Sequence, residues 1–538
     1  MKLSKGKLYI LSIASGLLFA LAWPPLPVVF SIFIAFVPLL FVEDYISKNN
    51  FKKPGWTLFL HGMIAFIIFN LLTTWWVKNS TVGGAAMMTV LNSVFMCIPL
   101  LLYRSVKKKT RANYAFISLI AFWIAFEFCH MQWELSWSWL NLGNAFAKSL
   151  YLIQWYDITG ALGGTLWVLL VNVFVFKLLK NFNTKGKLKP IIQISLLLIV
   201  PIVVSLVKKS QVEFVGDKIS VVAVQPNIDP YSKFSSSSAE QLDQLVELSK
   251  SKADANTDYI VWPETAIPDR YDIDYVRRKK QIEKPLKLIE QYPAAALITG
   301  LEGMGIYDSE EEALEEGDSP KMRIVRNNDT VWTISVNSSI QLVHNDDEVP
   351  LYIKSKLVPA VERLPFKKLL SPLGGILSQF GGTTGGYSTQ PEREVFEHNG
   401  VKIGTAICYE SIYGEFVGRF VKEGAQAIFI ITNDAWWGNT PGHKQHMQYA
   451  SLRAIETRRS FVRAANTGIS CFINPLGEIR QKTTYWTPDA IKGEMQLNNK
   501  LTFYVRYGDY IGRSATFMAV IILLYVFVRK RFMNKIGK

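Results

Sequence analysis

The chain has 538 residues, enough for two or three domains, and 49% of it is hydrophobic. Its formal charge of +15 invites a nucleic-acid reading, but residues 1–207 carry 18 Lys/Arg against 5 Asp/Glu, residues 512–538 carry 6 against none, and the stretch between is net −4. The basic excess flanks apolar runs, where it reports membrane topology and not phosphate contacts, so nucleic acid is excluded as a partner.

In chain order, eight apolar runs are long enough to be spans, near 8–23, 27–45, 57–77, 83–103, 112–130, 160–179, 190–207 and 513–528. The first lacks a small-residue cleavage site and leads straight into the second, so it reads as a retained span and not a signal peptide. Lys2, Lys5 and Lys7 place the N-terminus in the cytoplasm. The loops holding Lys48, Lys52 and Lys53, then Arg104 to Arg111, then Lys177 to Lys189, fall on the same side, as does the tail from Arg529. Residues 208–511 are then outside. Lys208 and Lys209 run mildly against the rule. The outer loop 131–159 holds Trp133, Trp137, Trp139 and Trp155. It is either an aromatic belt at headgroup level or a wall of a lipid-entry site. Glu127, near the outer end of a span, is a site candidate or a group that snorkels to the interface.

From residue 219 the pattern changes to short β-rich runs alternating with helical stretches, as in a layered α/β domain. Strands are predicted at 219–225, 258–264, 295–300, 330–338, 401–410 and 427–434, with one or two more in 463–473. Helices are predicted near 238–252, 277–291, 411–423 and 443–459. Segment 303–326, with SEEEALEEGD, shows no apolar face and reads as an exposed acidic insertion. Of the four cysteines, Cys97 and Cys129 sit in apolar runs, and Cys408 and Cys471 are too few for a disulfide framework. His443 and His446 lack a Cys or acidic partner at metal-ligand spacing and read as structural.

Three short segments carry chemistry. VWPETAIP puts Glu264 at the end of an apolar strand, YIKSKLVPAVERLPF holds Lys354 and Glu362, and GTAICYESIYGEF puts Cys408 at a strand end. A cysteine there by itself is more often a packed small hydrophobe. Together, and in the order Glu, Lys, Cys, they resemble the nitrilase superfamily from about 219 to 497. Seven spans before that domain and one after it resemble the apolipoprotein N-acyltransferase family, as do TNDAWWG, QHMQYASLRAIETRR, RAANTG, WLNLGN and QWYDITGALGG. There are departures: Lys356 stands where many members have His, Ala360-Val361 replaces Phe-Gly, and Phe234 stands where some have Trp.

The resemblance implies a multi-pass helical membrane bundle of eight spans plus a nitrilase-like α-β-β-α sandwich. The membrane domain would cover 1–207, the periplasmic catalytic domain 208–511, and the last span and cytoplasmic tail 512–538. It implies a bacterial inner-membrane enzyme with both termini cytoplasmic, acting as a monomer without cofactor or metal. An acyl chain would pass from a phospholipid, through a thioester on Cys408, to the α-amine of a diacylglyceryl-modified apolipoprotein. Glu264 would be the base. Lys354 would be the oxyanion partner, and its cation and a helix N-terminus after Cys408 would both favour the thiolate. Glu362 would orient Lys354 or the base, with Tyr409, Glu410, Phe234 and Trp139 shaping the pocket. A membrane-anchored amidase or nitrilase with the same triad and water as acceptor is the alternative. A transporter or receptor with a degenerate outer domain fits less well, since the spans are plain apolar runs and the triad is whole.

Overall fold

A computed structural model describes residues 4–110, 112–182, 187–213, 216–229, 237–316, 321–324, 330–366 and 386–536. The chain divides into two compact units. One comprises Met1–Lys78, Gly83–Gln211 and Tyr507–Lys538, and the other Asn79–Val82 and Val212–Arg506.

The first unit is helical: α1 Lys5–Leu21, α2 Val37–Lys48, α3 Pro54–Thr74, α4 Val82–Lys107, α5 Ala112–His130, α6 Tyr156–Lys180, α7 Leu188–Gln211, and a C-terminal helix Tyr510–Ile536. Each predicted run except 27–45 coincides with one of these. Six stretches among the described residues are long and apolar enough to cross a bilayer: Val29–Lys48, Pro54–Asn79, Val82–Lys107, Tyr156–Lys180, Leu188–Gln211 and Tyr510–Arg529. The helix α1 has 17 residues, and the apolar stretch Tyr114–His130 is likewise shorter. The predicted run 27–45 is not one α-helix: a 3-10 stretch, Val29–Ile34, precedes α2. Charges predicted on one side meet here. Arg104 Nη1 lies 3.2 Å from Glu43, Lys180 Nζ 2.6 Å from Asp44, and Lys107 pairs with Glu43.

Loop 131–159 folds into this unit as 3-10 turns, with Trp139 and Phe146 buried and only Trp133 of its four tryptophans exposed. An aromatic belt is therefore not its main character. Trp139 packs 5.0 Å from Trp76 and stacks on Trp137. Glu127 is buried beneath the loop. It accepts from Trp123 Nε1 (2.9 Å), Leu142 N (2.9 Å) and Thr165 Oγ1 (2.6 Å), which makes it a brace between α5, the loop and α6 and not a snorkelling group.

The second unit has two sheets. The first contains β1 Lys218–Gln225, β2 Tyr259–Val261, β3 Ile267–Asp272, β4 Ala296–Tyr307, β5 Lys321–Ile324, β6 Thr330–Leu342, β7 Leu351–Ile353 and β14 Asp489–Gln496, in the order β14-β1-β2-β4-β6-β5 with β3 on β4 and β7 on β6. The second runs β13-β12-β11-β10-β9-β8, from Ile479–Lys482, Cys471–Ile473, Phe461–Ala465, Ala427–Thr432, Val401–Ile407 and Val395–His398 respectively. Strands β1, β2 and β4 are parallel, as are β9, β10 and β11. Their side chains are mostly apolar on both faces because both faces are covered, with Arg463 of β11 the buried charged exception in the second sheet's parallel strands. On one face of the first sheet, Val222, Ile260, Trp262, Leu297 and Ile340 pack with Leu242 and Leu245 of α8 (Ser238–Lys250) and Leu288 of α9 (Glu283–Gln291). From the other face Tyr259 meets Phe429 of the second sheet, ring centroids 5.3 Å apart. The second sheet carries α11 (Gly414–Lys422) and α12 (Pro441–Thr457). Gly404 allows α11 to close in, since a Cβ there would stand 2.7 Å from Phe420 Cβ. The layers are thus α-β-β-α.

One reading is overturned. Segment 303–326 is no insertion at its start: 303–307 continue β4, and the short helix α10, Glu310–Glu316, buries Ala313 against Ile334, Val336 and Ile353. A single small apolar residue suffices to seat so short a helix, and the surrounding glutamates hide it in the sequence.

Candidate active site

Each predicted triad residue sits at or just past the C-terminal end of a strand: Glu264 after β2, Lys354 after β7 and Cys408 after β9. Lys354 is 0% exposed. Its Nζ donates to Glu264 Oε1 at 2.9 Å and to Glu362 Oε1 at 2.6 Å. Burial opposes the ammonium, but the carboxylates of Glu264 and Glu362 outweigh it, so Lys354 is held well above the ordinary lysine range. A cation fixed this way needs no reorganisation when negative charge develops beside it.

Glu264 is itself tied down. Asn337 Nδ2 on β6 donates to Oε1 at 2.8 Å, and the Asn433 amide donates to Oε2 at 3.2 Å. Asn337 also accepts the Lys354 amide on its carbonyl at 2.8 Å, so one strand residue positions both members of the pair. Glu362 accepts from Val358 N at 2.8 Å on its second oxygen. Gly300 lets the Glu264 turn lie against β4. A Cβ at Gly300 would come within 2.5 Å of Thr265 N and 2.7 Å of Glu264 Cα.

Cys408 adopts φ +51°, left-handed and unfavourable for a side chain with a Cβ. It opens a 3-10 turn, Cys408–Ile412, and the helix that follows begins only at Gly414. The predicted helix N-terminus is therefore not at the sulfur. Burial first, and then the Glu264 carboxylate, push the thiol well up, and Lys354 offsets only part of that.

Glu410 lies beneath the site as a clamp. It is fully buried and accepts from Tyr352 Oη (2.9 Å), Ser355 N (2.7 Å), Lys356 N (3.3 Å) and Ile407 N (2.8 Å). It joins the segment after Lys354 to the strand before Cys408. Tyr409 is buried edge-on to Tyr413. Trp139 packs within the helical unit, as described above, and Phe234 lies outside the described residues.

Sequence reasoning missed Asn337, Asn433, Gly300 and Asp434, and gave His446 only a structural role. His446 is buried with Nδ1 2.9 Å from Asp434 and Nε2 3.2 Å from the Cys408 carbonyl oxygen. Their signal was available only as neighbourhood: Asn433 and Asp434 fall in TNDAWWG, and His446 lies in the first turns of the helical segment after it.

The carbon-nitrogen hydrolase family matches residues 220–500, more than half of the chain, and the apolipoprotein N-acyltransferase N-terminal domain matches residues 15–174. The chain belongs to the carbon-nitrogen hydrolase family, among its apolipoprotein N-acyltransferases. Relatives of that name agree along the whole length. The one from Chlorobaculum tepidum is 29% identical over 98% of each chain, and the one from Geobacter metallireducens is 27% identical over 97% of this chain and 96% of its own. A solved amidase from Nesterenkonia sp. aligns with 55% of this acyltransferase-family chain and 95% of its own, at 13% identity and TM-score 0.35.

Proposed function

We propose that this enzyme transfers an acyl chain from a membrane phospholipid to the α-amine of the diacylglyceryl-cysteine of bacterial lipoproteins, through a thioester on Cys408. The observation that carries the mechanism is Lys354 buried between Glu264 and Glu362, its ammonium 2.9 Å and 2.6 Å from their oxygens, at the strand ends that also hold Cys408. Family membership over both units carries the choice of acyl transfer over hydrolysis.

In the first half-reaction Glu264 takes the Cys408 proton as the sulfur attacks the ester carbonyl. Lys354 stabilises the oxyanion. The C–O bond breaks, Glu264 returns the proton to the lysophospholipid alkoxide, and the thioester remains. In the second half the amine attacks that thioester, Glu264 accepts its proton, and the thiol leaves reprotonated. The thioester is activated enough to acylate an amine, so no nucleotide enters. Glu362 holds Lys354 in place, and Glu410 holds the Lys354 segment against the nucleophile strand.

Both substrates are lipids, which accounts for joining such a domain to apolar helices: six qualify by length, and with α1 and α5 the bundle crosses eight times. The enzyme resides in the inner membrane, acts as a monomer, has both termini in the cytoplasm, and holds residues 208–511 in the periplasm. The membrane domain is 1–207, and the last span with its tail 512–538. A reporter active only in the cytoplasm, fused after residue 490 of a truncated chain, is expected to be silent, and activity there reverses the orientation.

The deciding experiment is mass spectrometry of the purified enzyme after exposure to phospholipid without acceptor. An acyl adduct on Cys408 that moves to an added lipoprotein amine is expected. Release of free fatty acid with no transfer would favour the hydrolase.

A further inference from the structure

Behind Cys408 lies a second buried cluster that the mechanism above leaves unused. Asp434, His446 and Arg463 are each fully buried. Asp434 Oδ1 lies 2.9 Å from His446 Nδ1 and accepts from Thr432 Oγ1 at 3.1 Å, and its other oxygen pairs with Arg463, whose Nη2 lies 3.2 Å from the same ring nitrogen. Arg463 is tied in turn to the Ile469 carbonyl at 2.7 Å. Trp437 packs edge-on to the imidazole, centroids 5.5 Å apart. The other ring nitrogen, Nε2, lies 3.0 Å from Ser411 Oγ and 3.2 Å from Cys408 O, and the Ser411 hydroxyl donates to that same carbonyl at 2.7 Å.

We propose that Asp434 and His446 are a positioning pair that fixes the Cys408 peptide in its left-handed conformation and sets the distance between nucleophile and base. The inference rests on the acyl-transfer reading. Its physical basis is a chain of contacts. The Asn433 amide holds Glu264 Oε2 at 3.2 Å, and the next residue, Asp434, holds the imidazole that reaches the Cys408 carbonyl. Adjacent residues at the end of β10 thus touch the base directly and the nucleophile through one ring. A left-handed cysteine persists only where its surroundings over-determine it. The ring reaches the Cys408 carbonyl and the Ser411 hydroxyl that donates to it, so its part is to position.

The test is single-turnover thioester formation by the full-length enzyme with a synthetic dioleoyl phospholipid, beside thermal unfolding. His446→Leu is expected to form the thioester about a hundredfold more slowly, the loss typical of an ångström-scale misplacement, with the half-saturating lipid concentration within about twofold of wild type. His446→Gln, whose amide can still reach the Cys408 carbonyl, is expected to recover about tenfold of that. A wild-type rate in His446→Leu, a loss confined to half-saturation, or a Gln variant no better than Leu overturns the proposal. Where His446→Leu shows no unfolding transition, Ser411→Ala decides: a slower rate at unchanged half-saturation supports the pair, and an unchanged rate overturns it. A wild-type enzyme that forms no adduct at all overturns the acyl-transfer reading itself, before any variant is compared.

Discussion

The first sheet contributes charge to the site and the second contributes shape. Glu264 and Lys354 follow strands of the first sheet, and with Glu362 they form one buried ammonium between two carboxylates. Cys408 follows a strand of the second sheet, and what distinguishes it is a backbone angle and a carbonyl held by Ser411 and His446. Substitutions on the first side should therefore change the chemistry at nearly constant fold. On the second side, apart from the sulfur itself, they should change alignment.

The sulfur gives the largest expected effect. Cys408→Ser should abolish turnover or slow it by orders of magnitude, because a serine hydroxyl is hardly ionised beside a carboxylate base. Cys471, buried in β12, should tolerate alanine with most activity kept, and an adduct found on Cys471 would reverse the assignment.

Next comes the charge side. Glu264→Gln should slow thioester formation by roughly 10²–10⁴-fold, and Lys354→Met by about 10²–10³-fold. Both are read in a single turnover without amine. A Lys354→Met enzyme that forms the thioester at the wild-type rate and stalls only on transfer would move Lys354 to acceptor binding.

Gly300→Ala tests alignment within the charge side. Its Cβ would meet backbone at 2.5 Å, so the Glu264 turn must shift, and a loss of about tenfold or more in the same assay is expected with all ionisable groups intact. Unchanged kinetics would show that the turn is free to move.

The smallest effect belongs to Lys356. Burial, then Arg393 and Arg419, lower it to about 8. Between that value and the unfolded lysine value of roughly 10.4 the unfolded chain binds the extra proton, so this residue makes stability rise with pH across that window. Lys356→Met should raise the unfolding midpoint at pH 7 by about one to a few degrees, with the gap closing toward pH 10. A gap independent of pH would assign the effect to packing.

What could be read in the sequence follows the same division. The central strands β1, β9 and β10 were legible because burial on both faces makes them largely apolar runs. The strands β3, β8, β13 and β14 were not. IPDRYD, VFEH, IRQK and DAIKGEMQ are polar, and they are strands because a neighbour offers a ladder. Glu264 and Cys408 stood out as residue types that do chemistry at strand ends, and Lys354 as a lysine eight residues before Glu362, while its short strand β7 was not legible. Asn337 and Gly300 act through contacts with residues tens of positions away, and no local pattern marks them; Asp434 falls in the quoted segment TNDAWWG, but its partners His446 and Arg463 are far along the chain. His446 was visible but had no visible partner, since its target is a main-chain carbonyl, which every residue has.

The pairing of the first and last strands has a consequence for how this domain could arise and travel. Lys218 stands opposite Gln496, and the Leu497 amide reaches back to the Asp217 carbonyl at 2.9 Å. The polypeptide enters and leaves the sandwich through a single doorway. A module whose ends meet can be spliced into a host loop, or closed on itself and reopened elsewhere, without any strand changing its neighbour.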